Sequence, residues 1–152
     1  MDLSIRQATI GDLDELVRFT CEEAREAEGL EKIPETLRRG IAAALADNTK
    51  AMYWVAVTEQ GRLIASVSAL KEWSDWNAGY YWWIQSMYVM PSARGQGSIG
   101  LLIDAVSAEM KSQGGLELRL YVHQTNTRAV RAYEKLGFRM TPYDIMARTD
   151  SG

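Results

Sequence analysis

The stretch ARGQGSIG, residues 93–100, sets glycines at 95, 97 and 100 beside Arg94 and directly before a helical pattern. Bare glycine backbone lets a ligand come close to peptide N–H groups. A helix N-terminus adds unpaired N–H groups and a positive dipole end, which favour an anionic oxygen. Arg94, Gly95, Gln96, Gly97, Ser98, Ile99 and Gly100 are therefore candidates for holding a phosphate, mostly through backbone. A tight strand-to-helix turn would explain an isolated loop of this kind equally well. No Gly-Lys-Ser/Thr follows, which excludes a Walker loop, and no short parallel βαβ unit precedes, which excludes a dinucleotide fingerprint.

The elements around the loop decide between these readings. LSIRQA is expected as a first strand, and Thr9 and Asp12 stand at capping-box spacing before a helix with Leu13, Leu16, Val17, Thr20 and Ala24 on its apolar side. Pro34 opens a second helix carrying Leu37, Ile41, Ala44 and Leu45. MYWVAVTE and LIASVSALKE alternate about the turn QGR as a hairpin, and YYWWIQSMYVM is a long strand ended by Pro91. The helix after the glycine loop aligns Leu101, Leu102, Ala105, Val106 and Met110 and stops at Gly114 and Gly115. LELRLYV alternates as a strand, Asn126 caps a last helix ended by Gly137, and FRM and YDIMAR return as short strands. This order predicts an α/β or α+β fold with a mixed sheet.

Read with MYVMPSA before it and NTRAVRAYEKLGF after it, the glycine loop resembles the phosphate motif of the GNAT N-acetyltransferase superfamily. Arg94 and Gly97 match that motif's Arg/Gln-x-x-Gly-x-Gly/Ala pattern, Ile99 fills its second small position, and Gly100 follows one residue later. Asn126, Ala129, Tyr133, Glu134, Lys135, Gly137 and Phe138 match the superfamily's later helix. The resemblance implies one acetyltransferase domain over residues 1–152. It implies a mixed, mostly antiparallel sheet flanked by about four helices, with a splay between the fourth and fifth strands. It implies acetyl-CoA as co-substrate, its pyrophosphate on the glycine loop and its pantetheine and thioester on backbone groups of Tyr88, Val89 and Met90. Asn126 would bond the pantetheine side, and the Tyr133 hydroxyl would protonate the leaving sulfur.

Acetyl transfer also needs a neutral amine. Many family members carry a carboxylate on the long strand where IQSMYV places Gln85, a residue that can hold a water through which a proton leaves but cannot itself be a base. Four of the five tryptophans, Trp73, Trp76, Trp82 and Trp83, cluster with Tyr80 and Tyr81 in EWSDWNAGYYWW. Trp73, Trp76, Trp83 and Gln85 are the candidates for binding the acceptor, since ring faces attract a cationic amine and desolvation lowers its pKa. Cross-strand aromatic pairing explains the same rings as well. Glu72 and Asp75 read as solvated turn residues, and Glu22, Glu23, Glu26 and Glu28 as a solvated helix face. His123 reads as a lone loop histidine and Cys21 as helix packing.

The bulk composition agrees. A chain of 152 residues, 47% hydrophobic and 24% charged, can bury a core without staples. A net charge of −3 argues against a nucleic-acid partner. One cysteine and one histidine leave no intramolecular disulfide and no Cys/His metal spacing. The opening MDLSIRQATIGD has no targeting pattern and no membrane span, so a cytoplasmic protein is expected. Exposed aromatics are compatible with a homodimer. The expected activity is acetyl transfer to a primary amine of a small molecule or peptide, and the alternative is a non-catalytic acyl-CoA-binding or regulatory domain.

Overall fold

The computed structural model describes residues 2–150, in two compact units of which the first ends at Tyr121 and the second begins at Val122. The first unit holds β1 (Leu3–Gln7), α1 (Leu13–Glu28), α2 (Pro34–Ala46), β2 (Met52–Thr58), β3 (Leu63–Ser74), β4 (Gly79–Val89), α3 (Ser98–Ser112) and β5 (Glu117–Leu120). The strands lie in the order β1-β2-β3-β4-β5, antiparallel throughout except that β5 runs parallel to β4. The sheet is therefore mixed and mostly antiparallel, as expected.

Alternation along β2 divides the core. Val55 and Val57 pack with Leu16, Val17 and Phe19 of α1, Ile41 of α2, Leu63 and Tyr88. The even residues Trp54 and Ala56 turn to the opposite face. There α3 buries Leu102, Ile103, Val106 and Met110, while Leu101, expected on that stripe, is 44% exposed. Ile103 takes the buried place because it lies next to Leu102 and Val106 on the helix surface, and Leu101 falls off the edge.

The capping box forms: the Thr9 N–H donates to the Asp12 carboxylate at 2.8 Å. Asp12 is also clamped by Arg6 of β1 at 2.8 and 3.1 Å, which ties the start of α1 to the first strand.

Two irregularities position the site. The β3–β4 register pairs Ser68 with Ser86 and Ala69 with Ile84, leaving Gln85 as the extra residue of a β-bulge. The β4–β5 pairing runs from Tyr81/Glu117 to Ile84/Leu120 and goes no further, although β4 continues to Val89. This is the splay expected between the fourth and fifth strands.

In the second unit, α4 (Thr127–Lys135) is capped by the Asn126 side chain, which accepts the Ala129 N–H at 3.1 Å. Gly137, at φ +96°, turns the chain so that the Phe138 N–H returns to the Tyr133 carbonyl at 3.0 Å. No strand forms among the described residues after α4, contrary to the expectation for FRM and YDIMAR. Pro142 interrupts that stretch, lacks a ladder donor and restricts Thr141 before it.

Candidate active site

The glycine loop has the shape an anion cradle needs. Gly95 and Gly97 take φ +79° and +81°, and nothing stands within 4 Å of where a Cβ would project from either. The first α3 helical bond runs from the Leu101 N–H to the Gly97 carbonyl, so the amides of Ser98, Ile99 and Gly100 precede the ladder. Gln96 is exposed, Ile99 half-buried, and Ser98 buried at the first turn. Arg94 is engaged elsewhere: its Nε donates to the Val89 carbonyl at 3.0 Å, and its Nη2 to Glu26 at 2.6 Å.

Along β4 the backbone groups divide by direction. The Met90 N–H donates to the Ile64 carbonyl at 2.9 Å and so faces β3. By alternation the groups of Tyr88 face the same way, while those of Met87 and Val89 point to the open side. Of the three residues expected to hold pantetheine, Val89 therefore presents its backbone outward. Tyr88 contributes a buried ring, 5.3 Å from that of Phe19.

At the end of the β4–β5 pairing lies a depression of about 170 Å³ lined by Leu70, Glu72, Trp83, Ile84, Gln85 and Tyr121. The bulge places Gln85 in its wall. Trp83 stacks on Tyr121 at 4.6 Å, and its Nε1 donates to Glu72 at 3.3 Å. The Arg119 guanidinium, held by Glu117 at 2.7 Å, stands 3.6 Å from the Tyr81 ring centroid and 5.7 Å from that of Trp83. The cation over these faces is thus the protein's own, and an incoming amine meets Glu72 and Gln85 at the rim. Trp73 packs edge-on against Tyr80 at 5.1 Å, Trp76 is 89% exposed near the hairpin tip, and neither lines the depression.

The four glutamates of α1 do not form one solvated face. Glu22 pairs with Arg25, and Glu26 with Arg94. Glu23 turns inward, and its carboxylate accepts the Met87 N–H at 2.6 Å. Ser86 also donates to Glu23, the Ser86 N–H donates to the buried Ser68 hydroxyl at 3.1 Å, and Ser68 is hydrogen-bonded to the Tyr53 phenol. Burial pushes the Glu23 carboxyl up to about 7, opposed by the bonds from Met87 and Ser86 and assisted by Glu28. Burial also raises the Tyr53 phenol. The sequence carried a signal for this: Glu23 lies seven residues after Leu16 and four after Phe19, on the buried stripe.

Tyr133 stands on α4 with its ring edge-on to Phe138, centroids 6.1 Å apart, and the Asn126 side-chain oxygen is committed to the helix cap. His123 Nδ1 lies 3.3 Å from the Thr125 hydroxyl, and Cys21 packs half-buried against the α1 core. Among the described residues no three His, Cys, Asp or Glu side chains group as a metal site, and no helix is long and apolar enough to cross a membrane.

A model of the acetyltransferase (GNAT) family matches residues 13–138. The mycothiol acetyltransferase of Actinosynnema mirum is 30% identical over 156 aligned positions, covering 80% of this chain and 52% of that protein. The chain spans between 20% and 52% of the length of the curated relatives it matches. Among solved structures, a possible acetyltransferase from Clostridium difficile 630 superposes with a TM-score of 0.92 at 31% identity, covering 99% of each chain. A predicted acetyltransferase with acetyl-CoA, from Clostridium acetobutylicum, superposes with a TM-score of 0.80 at 23% identity, covering 97% of this chain and 96% of that one. The length of the family match and the superposition over 99% of each chain lead to one conclusion: the chain belongs to the GNAT family of acetyltransferases.

Proposed function

We propose that this chain is an acetyl-CoA-dependent N-acetyltransferase that acetylates a primary amine of a small molecule or peptide by direct attack within a ternary complex. The observation that carries the reading is the parting of β4 from β5 beyond Ile84/Leu120, with the open glycine loop downstream and, at the fork, a depression whose largely apolar wall carries Glu72 and Gln85. The acetyl-CoA named with the Clostridium acetobutylicum structure supports the choice of donor. The family match runs across both units, which supports reading residues 1–152 as one acetyltransferase domain.

The residues present fit such a donor. The amides of residues 98–100 and the loop of Arg94, Gly95, Gln96 and Gly97 would hold its pyrophosphate. Val89 and its neighbours Tyr88 and Met90 would border the pantetheine, and Asn126 would bond it, as the family resemblance implies. When bound, the donor supplies an activated acetyl group. Trp83, Gln85 and Glu72 would orient the amine, the carboxylate favouring a cationic acceptor, while Trp73 and Trp76 would contact only a larger one. Tyr133 would give its phenolic proton to the departing sulfur. The setting would be the cytoplasm, with no nucleic acid or membrane partner, and a homodimer is the assembly to test.

The experiment is thiol release from acetyl-CoA against a panel of alkylamines, polyamines, amino sugars and lysine peptides. Turnover with at least one amine, lost on Tyr133→Phe and weakened in the amine KM on Trp83→Leu, is the expected result. Gln85, a neutral amide at the place of the family's carboxylate, favours a second reading, a non-catalytic acyl-CoA-binding domain. Calorimetric binding of CoA with no thiol release for any amine would establish that second reading.

A further inference from the structure

A transfer to an alkylamine requires a group that takes the ammonium proton, and β4 offers only Gln85 at its bulge. The structure brings a carboxylate to the same stretch from another element. Glu23 of α1 reaches across to the backbone of β4 two residues beyond Gln85, at the Met87 N–H on the open side of the strand. Two residues of strand span about 7 Å, and a water hydrogen-bonded at both ends bridges about 5.6 Å. An amine hydrogen-bonded to Gln85 and lying about 3 Å along that span toward Met87 has about 4 Å left to the carboxylate, a gap that one water hydrogen-bonded at both ends covers.

We infer that Glu23 is the catalytic base of the transfer, receiving the ammonium proton of the acceptor through one water. The inference rests on the acetyltransferase reading above.

The site suits the task. A carboxylate anchored by a backbone N–H and by the Ser86 hydroxyl is held at β4 rather than free to swing into solvent, and a carboxylate's lone pairs outnumber these two donors. The groups facing it are few: the Tyr53 phenol from β2, Ser86 and the Met87 amide from β4, and Glu28 farther along α1. Burial raises its affinity for a proton toward neutrality, where a base both exists ionised and binds the proton it receives.

The steps balance. The acceptor ammonium gives one proton to the Glu23 carboxylate, and the freed nitrogen lone pair forms the N–C bond to the thioester carbonyl carbon. Collapse breaks the C–S bond, the electron pair leaves with sulfur, and the second nitrogen proton ends on the thiol, by way of Tyr133. Glu23 then releases its proton to solvent. Ammonium and thioester become amide, CoA thiol and one proton.

The test compares Glu23→Gln with wild type on two acceptors: a basic alkylamine, and a fluoroalkylamine of low basicity that is already neutral at the assay pH. Glutamine keeps an acceptor for the Met87 N–H and removes only the titration. The expected loss in kcat/KM is about 100-fold or more for the basic amine, within the usual range for a lost general base. It is less than 10-fold for the neutral amine, and the calorimetric affinity for acetyl-CoA is unchanged. Equal losses on both amines would make Glu23 structural and overturn the inference. On the wild type, carboxyl NMR should find a glutamate titrating near the acidic limb of the kcat/KM profile, and a mismatch also overturns it. Wild-type protein that binds acetyl-CoA yet acetylates no amine overturns the transferase reading itself, and this inference with it.

Discussion

Arg94 donates to Glu26 at 2.6 Å, and this bond fastens the one cation of the glycine loop to the first helix. Both side chains remain close to half exposed, so the pair contributes at most about 1 kcal/mol, and a bound pyrophosphate can compete for the guanidinium. Glu26→Gln should therefore strengthen CoA binding several-fold, while Arg94→Ala weakens it about tenfold, the scale of one charge-assisted contact. Calorimetry with CoA at two salt concentrations checks this. An unchanged affinity in both variants would remove Arg94 from the phosphate site.

The glycines separate into two kinds. Gly95 and Gly97 need their positive φ but face open space, so alanine at either costs about 1 kcal/mol of backbone strain and should weaken CoA binding more than it lowers stability. Gly115 is a packing glycine: a Cβ there would lie 2.3 Å from Met110 Cγ, 2.9 Å from Trp82 Nε1 and 3.1 Å from the Met110 carbonyl. Gly115→Ala should cost about 1–3 kcal/mol in urea unfolding, the range for overpacked cores.

Asp12 is buried and accepts bonds from Arg6 and from the Thr9 N–H. Asp12→Ala leaves that amide without its acceptor and should cost about 1–3 kcal/mol. The Arg6 bonds hold the Asp12 carboxyl below its ordinary value. Because its folded pKa is depressed, its stabilisation is complete above the ordinary carboxylate range and is lost as pH falls through the folded value. Acid unfolding of the Asp12→Asn variant should accordingly be less steep.

Glu23 has the opposite sign. Its carboxyl lies at about 7 in the fold against an ordinary 4.5, so the folded chain holds a proton that the unfolded chain has released. Stability from this group is present below 4.5 and declines as pH rises through 7, by roughly 3 kcal/mol at most. Glu23→Gln, which keeps the acceptor and loses the charge, should raise the urea midpoint at pH 8 and leave it unchanged at pH 4.5. A variant less stable at both pH values would show that the carboxylate's bonds outweigh its desolvation.

Much of the fold was legible because its signals are local. Thr9 and Asp12 at capping-box spacing, Pro34 at a helix start, the alternation of MYWVAVTE and the glycines about α3 each act within a few residues, and each element formed. The segment after Gly137 forms no strand because apolar content makes one only where a partner edge pairs with it. Leu101 is exposed because the buried stripe of α3 runs through Leu102, Ile103, Val106 and Met110, and Leu101 lies at its edge.

The sequence by itself determined the loop that can hold an anion, the family motifs at Arg94–Gly97 and Asn126–Phe138, and the rings gathered before the long strand. Helical phase sets Glu23 on the inward stripe of α1, but the sequence could not say what that carboxylate meets or which backbone amides face outward. The tertiary structure decided those points. A single bulge at Gln85 resets the phase of β4, β5 stops pairing at Leu120, and α1 then lies where Glu23 meets the Met87 amide. Glu23 and Met87 are 64 residues apart along the chain, and only packing makes them neighbours. A base recruited from a different element leaves no spacing to read, which is why Gln85 alone pointed to a site without one.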